Sequence, residues 1–403
     1  MKIAVLATFT LFLSNFSWAQ NSNEDLDFLK QLVSISSGTA DHQGVAKVQD
    51  AVAEKLKALG MTVQLIDNPA GKDTSAPMLV AELKGTEPKF ITLVTHADTV
   101  FEKLNPFTLS SDGLTAHGSG VIDNKGGLVL GIAALRDLLK EKDRRYSLRI
   151  IVSPCEEIGS PGWAPLFKKF SEDSIFLIGL EPSLDNGNYV SGRKGVRWYD
   201  IHIVGKEAHA GAHHDEGINA CQDLAIKIAA MQALTDYKKG NTVSIGRIDG
   251  GKDKFNIICG EAEAKIDTRF STPENAKKLF AQIEKILNHS NVESAKSHEK
   301  TTTRFDNPVD TAPLPESMKT KKLMKEFAKL VKGLEGKEIN GEFSGGVADL
   351  NQMVSKDSLI ADGMGPTGGG VHTNEEFLTV SSLKTRTQAL TQFLKYLDQN
   401  ITP

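Results

Sequence analysis

The sequence lacks the features that mark membrane, nucleic-acid-binding and disulfide-rich proteins. Only 3 of its 403 residues are cysteine, and it has no long basic run. After the first residues, no apolar run reaches the roughly 18 residues that a membrane span needs. The formal net charge is -4 at pH 7, which gives no electrostatic reason to expect binding to nucleic acid or to an anionic membrane surface. With 40% hydrophobic and 24% charged residues, the composition is that of a globular protein with a sizeable core.

Several catalytic motifs are missing too. The segment "GSGVID" (residues 118–123) lacks the third glycine of a dinucleotide-binding loop. We find no G-x-S-x-G elbow and no H-E-x-x-H helix, which argues against a serine hydrolase and a thermolysin-like protease. The three cysteines, Cys155, Cys221 and Cys259, fit no zinc-ribbon spacing. Three cysteines would allow one disulfide, but we expect three buried free thiols.

The first residues, "MKIAVLATFTLFLSNFSWAQ", have the pattern of a secretory signal peptide. A short positive start is followed by an apolar core and a small-residue ending, with Ser17 and Ala19 before the expected cut. The apolar part is too short to span a bilayer, and no lipobox-like cysteine lies near the cut. We therefore expect removal of residues 1–19 and a secreted or periplasmic protein.

Strand and helix patterns alternate along most of the chain and predict an α/β fold. "FITLVTHAD", "LRIIVSPCEE" and "IFLIGLEPS" are apolar runs that end in polar residues, as expected for strands buried on both faces of a parallel sheet. We predict a doubly wound, mostly parallel sheet formed by residues 20–191 and 306–403. Residues 192–305 read instead as an inserted α+β unit, because their strands alternate apolar and polar residues. The order of its elements suggests a ferredoxin-like unit.

Each strand end of the predicted sheet carries a candidate metal ligand. The imidazole and carboxylate side chains concerned belong to His96, Asp98, Asp123, Glu156, Glu157, Glu181 and His372. Ligands of such sheets bind beyond the carboxyl ends of the strands, and these side chains suit zinc or another borderline divalent metal. Each residue alone has an ordinary reading: "HAD", for example, could be a turn whose Asp caps a helix. Together they favour two metals that share a bridging carboxylate, which would also explain the adjacent Glu156 and Glu157.

The motifs resemble those of the dizinc exopeptidase family that includes bacterial glutamate carboxypeptidase, carnosinase, aminoacylase and succinyl-diaminopimelate desuccinylase. The resemblance covers nearly the whole mature chain, from "LVTHADTVF" through "GSGVIDNKGG", "CEEIGS", "GLEPS", "GKEAHAGAHHDEGINA" and "FNIICGEAEAKIDTRF" to "GPTGGGVHTNEE". Glutamate carboxypeptidase is the member that the chain resembles most.

The resemblance implies two zinc ions, with cobalt or manganese as alternatives. The implied ligands are His96 and Glu181 for one ion, Glu157 and His372 for the other, and Asp123 as the bridge. Asp98 would orient His96. Two metals would polarise the substrate carbonyl and activate a shared water, and Glu156 would act as general base.

For the inserted unit the resemblance implies a lid and dimerisation domain, and hence a homodimer. His209 would reach the partner subunit's site and stabilise the oxyanion. Asn256, Arg269 and, by a looser match, Arg304 would contact the substrate near its carboxylate. Gly370, from the other domain, would also bind the substrate. Without the family context, Arg269 has an equally good reading as one half of an edge-strand salt bridge.

Two departures from the family pattern stand out. In "SGGVADLN", Val347 and Ala348 replace a hydroxyl pattern before the Asp, which we expect to reshape the substrate pocket. Asn124 follows the predicted bridging Asp123, and we expect it to be harmless because its side chain is not a ligand.

These observations predict an exported dizinc metallo-carboxypeptidase that hydrolyses a peptide or acyl-amino-acid bond and releases a C-terminal amino acid, with glutamate favoured. An exported dipeptidase or an N-acyl amino acid deacylase of the same family is the alternative. A non-catalytic metal- or peptide-binding protein is a distant third, because it would not need to keep Glu156.

Overall fold

The computed structural model describes residues 23–71, 74–141, 144–355 and 359–401. The predicted signal peptide lies outside these residues. The chain divides into two compact units. The second unit consists of Arg193–Pro315 and Ser344–Val347, and the first unit contains the rest of the described chain. Within the described ranges, no helix is long and apolar enough to cross a membrane.

The helices and strands alternate along the chain. The helices are α1 (residues 23–33), α2 (His42–Ala58), α3 (Lys125–Leu138), α4 (Ala164–Asp173), α5 (Ala220–Gln232), α6 (Pro273–Leu287), α7 (Met318–Glu335) and α8 (Val380–Asn400). The strands are β1 (Thr62–Ile66), β2 (Met78–Leu83), β3 (Glu87–His96), β4 (Thr108–Leu109), β5 (Thr115–His117), β6 (Tyr146–Ser153), β7 (Ser174–Gly179), β8 (Tyr189–Arg193), β9 (Gly195–Val204), β10 (Thr242–Gly250), β11 (Glu261–Phe270), β12 (Thr302–Asp306), β13 (Asp310–Thr311), β14 (Gly341–Ser344), β15 (Leu359–Ala361), β16 (Gly368–Gly369) and β17 (Phe377–Thr379).

The first unit is built on a six-stranded sheet in the order β1-β2-β6-β3-β7-β15. Strands β6, β3, β7 and β15 are parallel, and β1 and β2 join antiparallel at one edge. Strand β6 is buried along its whole length, and so is β7, as their unbroken apolar runs predict. Helices α2, α3, α7 and α8 contribute their apolar faces to the same core. The predicted α/β class is confirmed.

Small antiparallel sheets complete the first unit. One of them has the order β16-β17-β5-β4, and it brings the late segment around residue 370 against the chain that precedes α3. Helix α2 shows how local sequence sets the boundaries: the Asp41 side chain accepts from the Gly44 N–H at its start. At its end, Gly60 takes the left-handed backbone, with φ +80°.

The second unit has an antiparallel sheet in the order β10-β11-β9-β12 with its own apolar core. Its elements follow the order β-α-β-β-α-β. Strand β11 alternates exposed and buried residues along its length, which is the pattern of a sheet with one covered face. The unit extends to Pro315, ten residues beyond the boundary expected from the sequence, because β13 still pairs with β9.

The expectation of three free thiols is wrong. Cys221 and Cys259 form a disulfide across 38 positions of sequence, with their Cα atoms 5.7 Å apart. Cys221 lies in the first turn of α5 and Cys259 just before β11. Both elements pack on the same core, and this brings together two cysteines whose separation in sequence gave no sign of a pair. Cys155 is the buried free cysteine.

Candidate active site

The predicted ligands come together at the carboxyl edge of the first unit's sheet. Strand β3 ends at His96, which lies opposite Ser153 at the end of the parallel strand β6. The turn after β6 carries Glu156 and Glu157, and Glu181 follows β7. Parallel strands bring their carboxyl ends to one edge, so the segments that carry these side chains meet there. Two loops complete the group: Asp123 comes just before α3, and His372 lies in the turn between β16 and β17.

Asp123 stands at the centre of the cluster and presents one oxygen to each half of it. Its Oδ1 lies 3.1 Å from His96 Nε2, which in turn is 3.7 Å from Glu181 Oε1. Its Oδ2 lies 3.3 Å from His372 Nε2, which is 3.2 Å from Glu157 Oε2. Ligand atoms of His96, Asp123 and Glu157 all lie within 4.8 Å of one another. The arrangement is thus two His–carboxylate pairs that share one carboxylate.

The cluster is buried on one side and open on the other. The His96 side chain is 1% exposed and that of His372 is 55% exposed. Burial raises the pKa of Glu181 to about 7, against the opposing effect of His96. Hydrogen bonds to Asp123 and Glu157 raise the pKa of His372 to about 10. The concentration of carboxylates in a largely dry place therefore favours a cation beside them.

Asp98 has a larger role in the structure than its predicted contact with His96. It is fully buried, and its Oδ1 lies 3.2 Å from His96 Nδ1. The same carboxylate accepts the backbone N–H of Glu156 at 3.0 Å and of Glu157 at 3.2 Å. The Thr39 hydroxyl also donates to it, at 2.7 Å. One carboxylate thus fixes the orientation of the His96 imidazole and the start of the segment of residues 153–160, the glutamate turn, which carries Glu156 and Glu157.

Glu156 opens a short 3₁₀ turn that ends at Ile158. Burial raises the pKa of Glu156 well above its usual range, and the nearby negative charge of Glu181 raises it further. A raised pKa means that the carboxyl group holds a proton more readily than an ordinary glutamate does, which suits an acid–base role. The turn therefore places a carboxyl group beside the cluster without using it as part of either pair.

Two side chains of the site make hydrogen bonds that were not anticipated from the sequence. Glu376, which is 2% exposed, accepts the backbone N–H of Gly120 at 2.9 Å, of Ile122 at 2.9 Å and of Asp123 at 3.0 Å. It thereby holds the loop that carries Asp123. The sequence hint of this role was the position of Glu376 four residues after the candidate ligand His372, in "HTNEE". Asn124 was expected to have no role in the site, but its Nδ2 donates to Glu181 Oε1 at 2.9 Å.

The candidate residues of the second unit lie on exposed segments. His209 is exposed, and its Nδ1 accepts the N–H groups of Gly211 at 3.2 Å and Ala212 at 3.0 Å. Because Nδ1 is an acceptor, the neutral ring carries its proton on Nε2. Asn256 is also exposed, and its carbonyl accepts the N–H of Ala210 at 2.9 Å. The stretches that carry His209 and Asn256 are therefore paired.

The remaining predicted residues have distinct settings. Arg269 is half-buried on β11 and pairs with Asp267 at 2.8 Å on the same strand. Strand β11 lies inside the sheet, so this is not the edge-strand pair considered from the sequence. Arg304 is exposed on β12, opposite His202. Gly370 has φ +68°, and a Cβ there would lie 2.6 Å from the Glu375 carbonyl oxygen, so the turn that carries His372 requires glycine.

Comparison with known proteins agrees with this geometry. Residues 92–396 match the model of the peptidase family M20/M25/M40. The chain is 26% identical to carboxypeptidase G2 of Pseudomonas sp. (strain RS-16) over 365 residues, covering 89% of this chain and 85% of the relative. It is 24% identical to a succinyl-diaminopimelate desuccinylase of Nitrosococcus oceani over 399 residues, covering 92% and 98%.

A solved M20 family metallo-carboxypeptidase from Sulfolobus solfataricus has the same fold, with a TM-score of 0.72 and 19% identity over 92% of this chain and 98% of that one. Fold, site and family together define a metal-dependent peptidase. The chain belongs to the peptidase family M20/M25/M40, as its motifs predict.

Proposed function

We propose that this protein is an exported dizinc carboxypeptidase that releases a C-terminal amino acid, with glutamate preferred, from a peptide or acyl-amino acid. The observation that carries the proposal is the division of the cluster around Asp123 into two His–carboxylate pairs. The 26% identity to carboxypeptidase G2 over 89% of the chain supports the choice of reaction within the family. The signal-peptide pattern of residues 1–19 supports export.

The side chains fit a pair of divalent cations. His96 and Glu181 would hold one and His372 and Glu157 the other, with Asp123 between them. Glu157 Oε1 is buried and lacks a hydrogen-bond partner among the described residues, as expected of an oxygen reserved for a cation. His96 and His372 combined with carboxylates form the donor set that zinc takes, and cobalt or manganese would also suit. When bound, two such ions polarise the substrate carbonyl and lower the pKa of water.

The other catalytic steps belong to the chain itself. Glu156 takes a proton from the attacking water on its carboxylate and returns it to the leaving amine. Asp98 keeps His96 oriented and the glutamate turn in place. His209 offers its Nε2–H to the oxyanion, acting across a homodimer formed through the second unit, as the family resemblance implies. By the resemblance, Asn256, Arg269 and Arg304 would contact the substrate near its carboxylate, and Gly370 would also bind the substrate.

The test is hydrolysis of a small substrate panel by the zinc-loaded protein, with and without a chelator. The panel contains N-blocked peptides and acyl-amino acids ending in Glu, Asp, Ala, Leu or His, and free dipeptides. Chelator-sensitive release of C-terminal Glu from blocked substrates is the expected result. Cleavage of free dipeptides alone would reassign the protein as a dipeptidase, and cleavage of acyl-amino acids alone as a deacylase.

The Glu156→Gln variant tests the mechanism separately from the substrate. We expect it to bind the same number of metal ions while kcat falls by about 10²- to 10⁴-fold, as loss of a general base predicts. Metal content measured by elemental analysis is the control. Normal turnover in this variant would contradict the role of Glu156, and two bound metals without turnover in the unmodified protein would favour a binding protein.

A further inference from the structure

We propose that Asp349 is a positioning residue that fixes the turn carrying Glu156 and Glu157. This inference rests on the proposed function, since it concerns the roles given there to the two glutamates. Asp349 opens the short 3₁₀ turn Asp349–Met353. It lies nearly 200 residues further along the chain than the glutamate turn, and it contacts neither of the two His–carboxylate pairs through any hydrogen bond of the described chain.

The Asp349 carboxylate joins the two ends of the glutamate turn. It is 4% exposed, and its Oδ1 accepts from the Ser160 hydroxyl at 2.6 Å. Its Oδ2 accepts from the Ser153 hydroxyl. Ser153 is the last residue of β6, and Ser160 comes two residues after the 3₁₀ turn ends. A single buried carboxylate therefore ties the entry of the segment to its exit.

The carboxyl-terminal end of the glutamate turn has a backbone conformation that needs stabilisation. Gly159 has φ +83° and Ser160 has φ +48°, and the left-handed region is unfavourable for serine. The segment's own backbone hydrogen bonds at this end run from the Gly159 N–H to the Glu156 carbonyl at 2.7 Å and from the Ser160 N–H to the Cys155 carbonyl at 3.0 Å. The hydrogen bond from the Ser160 hydroxyl to Asp349 stabilises Ser160 in this unfavourable left-handed conformation.

A second contact from the same 3₁₀ turn supports this reading. Gln352 Nε2 donates to the Gly159 carbonyl at 3.0 Å. The segment is thus held from two directions, because Asp98 accepts the N–H groups of Glu156 and Glu157. Asp98 sets the start of the turn, and Asp349 with Gln352 sets its end. Both are needed to place two adjacent glutamate side chains in different roles.

The test compares Asp349→Asn with Asp137→Asn. Asp137 is a matched control because it is 5% exposed in the same unit and pairs with Lys140 at 2.8 Å, with no described contact to the glutamate turn. We expect faster hydrogen exchange of the amides of residues 155–160 in Asp349→Asn alone. We also expect kcat per folded molecule to fall by about 10- to 100-fold, with KM within about twofold of the unmodified value.

A purely structural role for Asp349 would give a different result. It would lower the melting temperature while leaving amide exchange in residues 155–160 and kcat per folded molecule equal to those of Asp137→Asn, and this would overturn the proposal. If Asp349→Asn does not fold, Ser160→Ala carries the same test, because it removes one of the two hydroxyl ties. Faster exchange in a protein that shows no turnover even unmodified would uphold the positioning role and refute the proposed function instead.

Discussion

The two units hold their candidate residues in opposite ways. In the first unit, His96 and Asp123 are buried among hydrogen-bonded carboxylates, whereas His372 is open to solvent. In the second unit, His209, Asn256 and Arg304 are all exposed. A site that acts on a buried cation must be organised before anything binds, because reorganising charges in a dry place is costly. Exposed residues need not be organised in advance, because they contact the substrate only after it has bound.

The means of support differ in the same way. Carboxylates that accept backbone N–H groups fix the loops of the first unit: Asp98 fixes the glutamate turn and Glu376 fixes the loop of Asp123. In the second unit, His209 and Asn256 are placed by backbone pairing between their stretches, next to the Cys221–Cys259 disulfide. Under the proposed function, the metal ligands and Glu156 come from the first unit, and His209 with most of the substrate contacts comes from the second.

In the second unit, the largest loss of activity is expected for His209→Ala, and this variant tests whether an exposed residue takes part in the reaction. Loss of one oxyanion donor lowers kcat by about 10²- to 10³-fold, although His209 is exposed and its removal should leave the fold unchanged. His214→Ala is the control, since His214 is an exposed residue of the same loop. Steady-state kinetics with a C-terminal glutamate substrate provide the measurement.

Mixing the two inactive variants extends this test. If His209 acts on a partner subunit, mixed dimers of His209→Ala and Glu156→Gln regain part of the activity, because one of their two sites is intact. Equal activity in His209→Ala and His214→Ala would remove the second unit from the chemistry. Loss of kcat without recovery in mixed dimers would keep His209 but place its action within one chain.

The disulfide should matter for the second unit and not for the first. Closing a loop across 38 positions contributes up to about 4 kcal/mol to the free energy of unfolding in the chain-entropy estimate. We expect reductant to lower the denaturant midpoint of the second unit's unfolding transition and to leave the metal content unchanged. The Cys221→Ser/Cys259→Ser double variant is the control, because reductant should not affect it. A reductant-insensitive midpoint in the unmodified protein would show that the backbone pairing alone is sufficient.

How much of this could be predicted from sequence depended on distance along the chain. The apolar runs that end at His96, Glu157 and Glu181 predicted a common sheet edge, since strand burial and parallel pairing follow from local pattern. Asp123 and His372 were grouped with them as strand-end residues, but the structure places both in loops. Only the family resemblance gave these two residues their separate roles, Asp123 as the bridge and His372 as a ligand of one ion. Their roles as ligands stay predictions.

The contacts that hold the site could not be predicted in this way. The bonds of Glu376 to Gly120 and of Asp349 to Ser153 join segments about two hundred residues apart or more, and no periodicity connects such positions. Asp98 was expected to orient His96, but its bonds to the glutamate turn depend on the exact approach of two strand ends. The disulfide was missed for the same reason, because two cysteines 38 residues apart carry no mark of a pair.

The smallest effect, and the finest test of the first unit's rigidity, is the comparison of Gly370→Ala with Gly336→Ala. Both glycines have a left-handed backbone, with φ of +68° and +69°, so both substitutions should cost about 1–2 kcal/mol of stability. A Cβ at Gly336 meets nothing within 4 Å, whereas one at Gly370 meets the Glu375 carbonyl at 2.6 Å.

The turn at Gly370 must therefore shift in the variant, and it carries His372 with it. Gly336→Ala should lower the melting temperature alone, while Gly370→Ala should lower it further and also weaken metal retention on dialysis. Because the two positions have nearly the same φ, a difference between the two variants reports the crowding at residue 370. If both variants keep their metal equally well, the His372 turn tolerates displacement, and the first unit is less rigidly organised than its hydrogen bonds indicate.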